Sequence, residues 1–306
     1  MTTRTKPSSS KEAQTLADAL AGRRVGLVLS AGFFGFFGHA GFLTGLLASG
    51  LAPKAYAGTS AGGLVGAYAA AGMAPEVLQG LLLGLRKERF WDRDVAGGLF
   101  DAARGGTGAM GLLRGQRFRA LLESTLPVRT FEECPVPLVL VAADVRNARS
   151  VSLTTGPLAP AVHATCAYPG LFRPVELDGG LLWDGGLVDK APAVALVRHL
   201  PGALDAVLVH FLPTRGDAAL GGPLAYAKGM AAGVAALRRS HLELQVALLS
   251  AEGLDVYLVV SDLPPISPRH LAQGKLAIEA GEKAALDALA QPATSLRVAV
   301  PASRSR

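Results

Sequence analysis

The sequence predicts an α/β domain, and three observations carry that prediction. Short apolar runs of strand length alternate with longer stretches of helical pattern. Half of the 306 residues are hydrophobic and only 18% are charged, yet Gly and Ala are abundant, so much of the apolar content is small side chains. That composition suits helices packed closely on a sheet, and the mean hydropathy of +0.34 is high for a soluble chain. Third, Ala57-Gly-Thr-Ser-Ala-Gly-Gly63 sets a serine in a G-x-S-x-G pattern between an apolar strand end and a small-residue helix.

Taken in order, residues 1–22 form a polar leader (Pro7-Ser-Ser-Ser10) that runs into a short helix near Ala13 to Leu20. Residues 1–20 lack an apolar h-region, so no secretory signal is expected. Arg24 to Leu29 has the character of a central parallel strand. Ser30 to Gly38 is a Gly/Phe loop, followed by a helix from about His39 to Ser49 with Gly50 as its stop. Gly41 and Gly45 are expected to let that helix sit close on the sheet. Lys54 to Ala57 ends a second strand, and Ala61 to Ala71 is a helix.

Residues 75–135 change character. Arg86 to Arg93 is charged and aromatic, 97–115 is Gly-rich, and Gln116 to Leu126 is an amphipathic helix. This is a helical insertion, read either as an ordinary solvated excursion or as a mobile lid. The sheet resumes at Val136 to Ala143, with Ser150 to Thr155 pairing beside it. Leu158 to Ala167 is a helix stopped by Pro169-Gly170, and Val175 to Trp183 is a hairpin turning at Asp178-Gly-Gly180. Leu204 to His210 and Leu254 to Val260 are further strands. Between them, 222–251 is helical, with Lys228, Arg238, Arg239 and His241 interrupting its apolar face. A last helix near Pro268 to Leu289 precedes a basic tail at 293–306, expected to fray.

The net charge of +6 would suit an anionic membrane surface or nucleic acid. No Lys/Arg run or aromatic-basic interleaving supports nucleic acid. Val25 to Pro53 and Ala55 to Pro75 carry no Asp, Glu, Lys or Arg, the crude signature of a membrane span. The first, however, holds seven glycines and a histidine, which a strand–loop–helix explains and a continuous helix does not. No transmembrane span is expected, and the expected location is cytoplasmic with peripheral membrane contact. The two cysteines, Cys134 and Cys166, imply neither a disulfide framework nor a metal site and are expected to be buried thiols. No metal or other cofactor site is found in the sequence.

A nucleophilic serine needs a base and a home for the oxyanion. For a Ser–His triad the best base is His210, at the end of an apolar strand, with His199 and His270 behind it. Against a triad, the Ser60 elbow follows only the second strand, whereas an α/β-hydrolase places several strands first. For a dyad the candidate is Asp184, in Asp184-Gly-Gly186 at a strand end. Asp178-Gly-Gly180 competes with it but sits at a hairpin tip, as a turn residue would. Asp144 ends a strand and is read as ordering its own turn. His39 is read as a hydrogen-bonding residue at a helix start, and His163 as a surface residue.

These residues together resemble the patatin-like phospholipase family of Ser–Asp lipid acyl hydrolases. Gly58-Thr-Ser-Ala-Gly62 matches its nucleophile motif and Asp184-Gly-Gly186 its Asp-Gly-Gly/Ala motif, in the family's order. Ala142 to Val151 resembles the strand and turn after the insertion, and Ala164 to Val175 the helix end and loop before the hairpin. The resemblance covers roughly residues 23–290. It implies a three-layer sandwich around a mixed, largely parallel sheet, occupying about 23–292 with the insertion at 75–135. It also implies that Ser60 attacks a lipid ester carbonyl with Asp184 as general base.

The first loop departs from the family pattern of three glycines and an arginine. Ala31, Gly32 and Phe33 stand where the glycines belong, and Gly35 where the arginine would be. Because backbone N–H groups do the oxyanion work, Gly32, Phe33 and Phe34 remain donor candidates, with Ala61 after the serine. Phe33, Phe34, Phe36 and Phe37 are core packing or, for Phe33 and Phe36, lining of an acyl-chain channel.

The expected function is therefore hydrolysis of a phospholipid, lysophospholipid or other acyl lipid at a membrane surface, through an acyl-enzyme. The alternatives are a catalytically weak or inactive lipid- or partner-binding module of the same fold, and a Ser60–His210 α/β-hydrolase.

Overall fold

A computed structural model describes residues 14–213, 225–264, 266 and 273–298. The chain opens with helix α1 (Leu16–Leu20), strand β1 (Val25–Leu29), α2 (Phe36–Ala48), β2 (Ala55–Gly58) and α3 (Ala61–Ala70). The insertion then supplies α4 (Pro75–Leu83), α5 (Lys87–Phe90), α6 (Val95–Ala102), the short strand β3 (Gly111–Leu113) and α7 (Gln116–Thr125). Next come β4 (Leu138–Asp144), β5 (Arg149–Leu153), α8 (Leu158–Thr165), β6 (Gly170–Phe172), β7 (Val175–Leu177) and β8 (Gly180–Asp184). The chain continues through α9 (Ala193–His199), β9 (Ala206–Phe211), α10 (Ala225–Ala251), β10 (Asp255–Val260), α11 (Gly274–Ala290) and α12 (Ala293–Leu296).

The main sheet is ordered β10-β9-β1-β2-β4-β8-β7, with β5 also pairing β4. From β10 to β4 every pairing is parallel, and the β4–β8, β4–β5 and β7–β8 pairings are antiparallel. The sheet is thus mixed and largely parallel. β1 is buried along its whole length, because both of its faces are covered. On one face Leu27 and Leu29 pack with Phe42, Leu43 and Val65 from α2 and α3, and with Ile278 of α11. On the other, Val28, Val207 and Val209 pack with Leu196 of α9 and with Leu242, Val246 and Leu249 of α10. Alternate side chains of one strand therefore feed two cores, which makes three layers.

Several expectations are corrected. The helix expected from His39 begins at Phe36. Its glycines do not face the sheet: a Cβ on Gly41 would strike the backbone of Ile278, and one on Gly45 would meet Ala285 and Glu282. The close contact they permit is with α11, whose Gly281 in turn lies against Gly38. His163 is not a surface residue. It is buried on α8, its ring edge-on to Phe118 and Phe172. The surface reading missed the insertion, whose α7 covers that side of α8. The Gly-rich 97–115 stretch contains β3, which pairs in parallel with β6 in a separate two-stranded sheet.

Both ends of the described residues dock as well, while residues 1–13 of the expected leader and 299–306 of the expected tail lie outside them. Thr15 caps α1 in a reciprocal box with Asp18, Leu16 and Leu20 are buried, and the Leu16 N–H donates to Gln291 O. Arg297, in the segment read as tail, is ion-paired with Asp255. Among the described residues, no helix is long and apolar enough to cross a membrane.

The α2–α11 contact yields a paired prediction. Gly41→Ala should destabilise the fold by about 1–3 kcal/mol, because backbone cannot move aside as a flexible side chain can. Gly80→Ala, in α4 with open space where its Cβ would go, should instead stabilise by roughly 0.5–1 kcal/mol. Urea unfolding of the two variants checks the opposite signs.

Candidate active site

Ser60 sits between β2 and α3 with φ 56° and ψ −122°, a region that a residue with a side chain occupies only under constraint. The constraint is visible on both sides. A Cβ on Gly58 would run into the backbone of Gly62 and Gly63, and one on Gly62 into the carbonyls of Leu29 and Ser30. The turn is therefore closed tightly onto the end of β1. Two side chains from the end of α8 hold the Ser60 backbone. The Thr165 hydroxyl accepts the Ser60 N–H at 3.1 Å while donating to Val141 O at 2.5 Å, and Cys166 Sγ donates to Ser60 O at 3.2 Å. The sequence does not single out Thr165 and reads Cys166 only as a buried thiol, because both sit more than a hundred residues from the elbow. Cys166 and Cys134 are half-buried rather than fully buried. Cys166 caps α8 at the edge of a cavity, and burial pushes its thiol well above the usual range.

Asp184 reaches the same place from the other side. β2 and β8 flank β4, with Gly58 level with Leu140 and Asp184 level with Ala142. Gly185 then passes so close to Val141 O that no side chain would fit. The Asp184 carboxylate accepts a hydrogen bond from the Gly186 N–H at 2.7 Å and shares the wall of one cavity with Ser60. It is buried, and that burial raises its pKa from the usual 3.8 to about 6, against the opposing pull of the Ser60 hydroxyl, the Gly186 N–H and the Arg238 charge. The turn beyond it is braced by Asp189, whose backbone carbonyl accepts from Thr59 Oγ1 at 3.0 Å and whose carboxylate accepts from Gln245 Nε2 of α10 at 2.9 Å.

The competing acids are elsewhere. Asp178 forms the tip of the β7–β8 hairpin with φ 49°. Asp144 is buried but accepts from the N–H groups of Arg146 and Asn147 and from Asn147 Nδ2, ordering its own turn. Those bonds, that of Asn147 Nδ2 first, hold its carboxyl below the usual range, the reverse of Asp184.

The loop from Ser30 to Gly35 runs alongside the elbow. Ala31 N–H donates to Lys190 O at 2.7 Å, Gly35 N–H donates to Gly32 O at 2.9 Å, and Phe34 has φ 54°. Among the described residues, the N–H groups of Gly32, Phe33, Phe34 and Ala61 have no protein acceptor. Beneath the loop lies a buried chain of histidines. His39 Nε2 lies 2.8 Å from Ser30 O, which can only accept, so Nε2 carries the proton and His39 Nδ1 is an acceptor. His210 Nδ1, 2.9 Å away, must then donate to it, and His210 Nε2 accepts from Ser261 Oγ at 2.9 Å. Burial lowers both histidines, His39 to about 4, so both stay neutral.

This arrangement removes His210 as a base for Ser60. Both its ring nitrogens are engaged, Phe42 stacks on its face at 3.8 Å, and it does not line the cavity that Ser60 lines. His39 is a hydrogen-bonding residue one turn into the helix, not at its start. His199 is exposed at the end of α9, and His270 lies outside the described residues. Among the described residues, no group of three or more His, Cys, Asp or Glu side chains could hold a metal ion.

Ser60 and Asp184 open into a cavity of about 660 Å³. Gly32, Phe33, Phe34, Phe36 and Ala61 line it, while Phe37 belongs wholly to the core. Three of the four phenylalanines thus face the cavity and the fourth is core packing. The insertion contributes Leu85, Phe90, Trp91, Phe118 and Leu121 to the opposite wall. Phe33 is 63% exposed at the rim, 6.2 Å from Tyr168, which is 48% exposed.

Residues 27–197 match the sequence profile of the Patatin-like phospholipase family. Among curated relatives, the uncharacterized NTE family protein Rv1063c of Mycobacterium tuberculosis is 30% identical over 171 residues, which are 55% of this chain and 44% of the relative. The uncharacterized NTE family protein Rv2565 of the same organism is 28% identical over 212 residues, covering 69% of this chain and 35% of the relative. The chain spans less than half the length of these relatives. Among solved structures, VipD from Legionella pneumophila aligns at 15% identity with a TM-score of 0.47, over 90% of this chain and 67% of that one. ExoU from Pseudomonas aeruginosa, in its complex with SpcU, aligns at 15% identity with a TM-score of 0.43, over 96% and 60%. The family profile spans more than half of the residues and includes both Ser60 and Asp184, and the chain belongs to the patatin-like phospholipase family.

Proposed function

We propose that this chain hydrolyses carboxylic esters of phospholipids, lysophospholipids or related acyl lipids at a membrane surface, using Ser60 and Asp184 as a catalytic dyad. The observation that carries the reading is the convergence of Ser60, held at its strained elbow, and the buried Asp184 carboxylate on the wall of one largely apolar cavity. Ser60 Oγ attacks the ester carbonyl as its proton passes to Asp184. The oxyanion is held by N–H groups drawn from Gly32, Phe33, Phe34 and Ala61, the last at the N-terminus of α3. Asp184 then returns the proton to the leaving alcohol, and in the second half-reaction takes one from the water that frees the fatty acid. Phe33 and Phe36 offer the acyl chain an apolar wall. A lipid surface as the substrate's source is supported by the exposed aromatic rings of Phe33 and Tyr168 at the cavity rim together with the net charge of +6. By the same reading, α5–α7 form the cavity's cover within one domain of roughly 23–292.

Ser60→Ala and Asp184→Asn should each lower release of fatty acid from a short-chain ester by on the order of 10³-fold or more. A fluorophosphonate probe should label the wild type and not Ser60→Ala. Full activity in either variant contradicts the dyad. Absent labelling of the wild type, with liposome binding retained, would make the chain a binding module.

The raised pKa of Asp184 gives a signed pH dependence. The base must be ionised, so kcat/KM on a soluble ester should fall as pH drops through about 6. A profile flat from pH 5 to 8 would contradict the assignment. Stability runs the other way. Between about pH 3.8 and about 6 the folded chain holds a proton that the unfolded chain has released, so this group's contribution declines as pH rises. Asp184→Asn, inactive, should therefore melt no lower than wild type at pH 8, as read by calorimetry.

A further inference from the structure

The insertion distributes its charges unevenly. Residues 84–126 hold eight basic and five acidic side chains, a net +3 that is half of the chain's +6. Most of the acids are turned inward. Asp92 accepts the Gly115 and Arg117 N–H groups at 2.9 and 3.1 Å, and Asp101 accepts the Gly108 N–H at 2.7 Å. Asp94 caps α6 at the Gly97 N–H and pairs with Arg114 and Arg173, and Glu123 pairs with Arg119 on α7. Arg86, Arg89 and Arg93 are exposed and, among the described residues, form no ion pair.

Beside these cations lies an apolar face. Val95 and Leu99 stand one turn apart on α6 with Phe100 following, and all three are exposed, Leu99 to 64%. Leu112 of β3, also exposed, joins the start of α6, because the Asp94 N–H donates to Leu112 O at 3.1 Å. Two further cations sit on aromatic rings of the insertion. The Arg104 guanidinium lies 4.0 Å from the Phe100 centroid, and the Lys87 ammonium lies 4.7 Å from that of Trp91. Phe90 and Trp91 also wall the cavity that holds Ser60, so the segment that carries this face adjoins the site.

Exposed apolar side chains interleaved with arginines suit one kind of partner. An anionic lipid bilayer takes the apolar residues among its acyl chains and attracts each cation to its headgroups. A second copy of this chain fits less well, since a two-fold contact through this face would set like charges against one another. We propose that the α6–β3 face of the insertion, with Arg89, Arg93 and Arg104, docks the protein on an anionic lipid bilayer. Its consequence for hydrolysis rests on the lipid acyl hydrolase reading above, whereas the binding itself does not.

Co-sedimentation of the Ser60→Ala protein with vesicles tests the surface without hydrolysis. Phosphatidylcholine vesicles containing about 30% phosphatidylglycerol should bind at least tenfold more tightly than phosphatidylcholine alone. That preference should vanish in about 1 M salt, where the screening length falls to about 3 Å. In the same background, Arg89→Gln with Arg93→Gln should weaken binding to the anionic vesicles at least tenfold, and so should Leu99→Ser with Phe100→Ser. Leu244→Ser, at a 68% exposed position of α10, should leave it unchanged. Retained binding in either double variant, or its loss in Leu244→Ser, overturns the proposal. So does a dimer in analytical ultracentrifugation that Leu99→Ser with Phe100→Ser dissociates, which would give the face to a second copy. Should that variant fail to fold, the arginine pair and the salt dependence carry the same test. In the active protein, the ratio of hydrolysis of anionic vesicles to that of a soluble short-chain ester should fall at least tenfold in the arginine variant, and an unchanged ratio counts against the proposal. Failure of the dyad would look different: Ser60→Ala would keep full hydrolysis while the vesicle preference remained.

Discussion

The conformation of Ser60 is the constraint on which the rest of the site depends. A residue with a side chain holds φ 56° only when its neighbours leave no relaxed alternative. Here the alternatives are closed by backbone approaching backbone, Gly58 against Gly62 and Gly62 against the end of β1. Thr165 and Cys166 then fix the serine's own N–H and C=O. Because these contacts come from β1, α3 and α8 at once, the elbow is a product of the assembled sheet. A strand–turn–helix segment alone would have no reason to keep it.

The same logic separates the two buried carboxylates of the β4–β8 region. Asp144 and Asp184 are both buried beside β4, yet their electrostatic states differ in direction. Asp144 is surrounded by the N–H groups of its own turn and an asparagine amide, which stabilise its charge. Asp184 has few donors, and desolvation dominates. A carboxyl raised towards neutrality by burial exchanges its proton closer to neutral pH. One that is already fully satisfied does not.

Close packing of small residues also sets what surrounds the elbow. The Gly38, Gly41, Gly45 and Gly281 contacts draw α2 and α11 together, which fixes where the Ser30–Gly35 loop must enter α2. The directed chain from Ser261 through His210 and His39 to Ser30 O supports that loop from below. It explains why two histidines are buried beneath the site without taking part in it, since each ring nitrogen already has one defined partner.

The order of strands, the small-residue helix after Ser60 and the Asp-Gly-Gly turn are local patterns, and by themselves they determined the α/β class and singled out Ser60 and Asp184. The periodicity of apolar residues and the need for glycine in tight turns act over a few residues, so a linear reading detects them. What only the tertiary structure decided is which surfaces meet. The sequence assigned Gly41 and Gly45 to the sheet and His163 to solvent, because it could not tell which neighbour would cover each helix face. His210 looked like a candidate base until its two nitrogens were found occupied by His39 and Ser261. Thr165 carries no local signature at all, and it reaches the Ser60 N–H because α8 packs against α3 and β4. Contacts between residues far apart in the chain depend on the packing of whole layers, and that packing exists only in three dimensions.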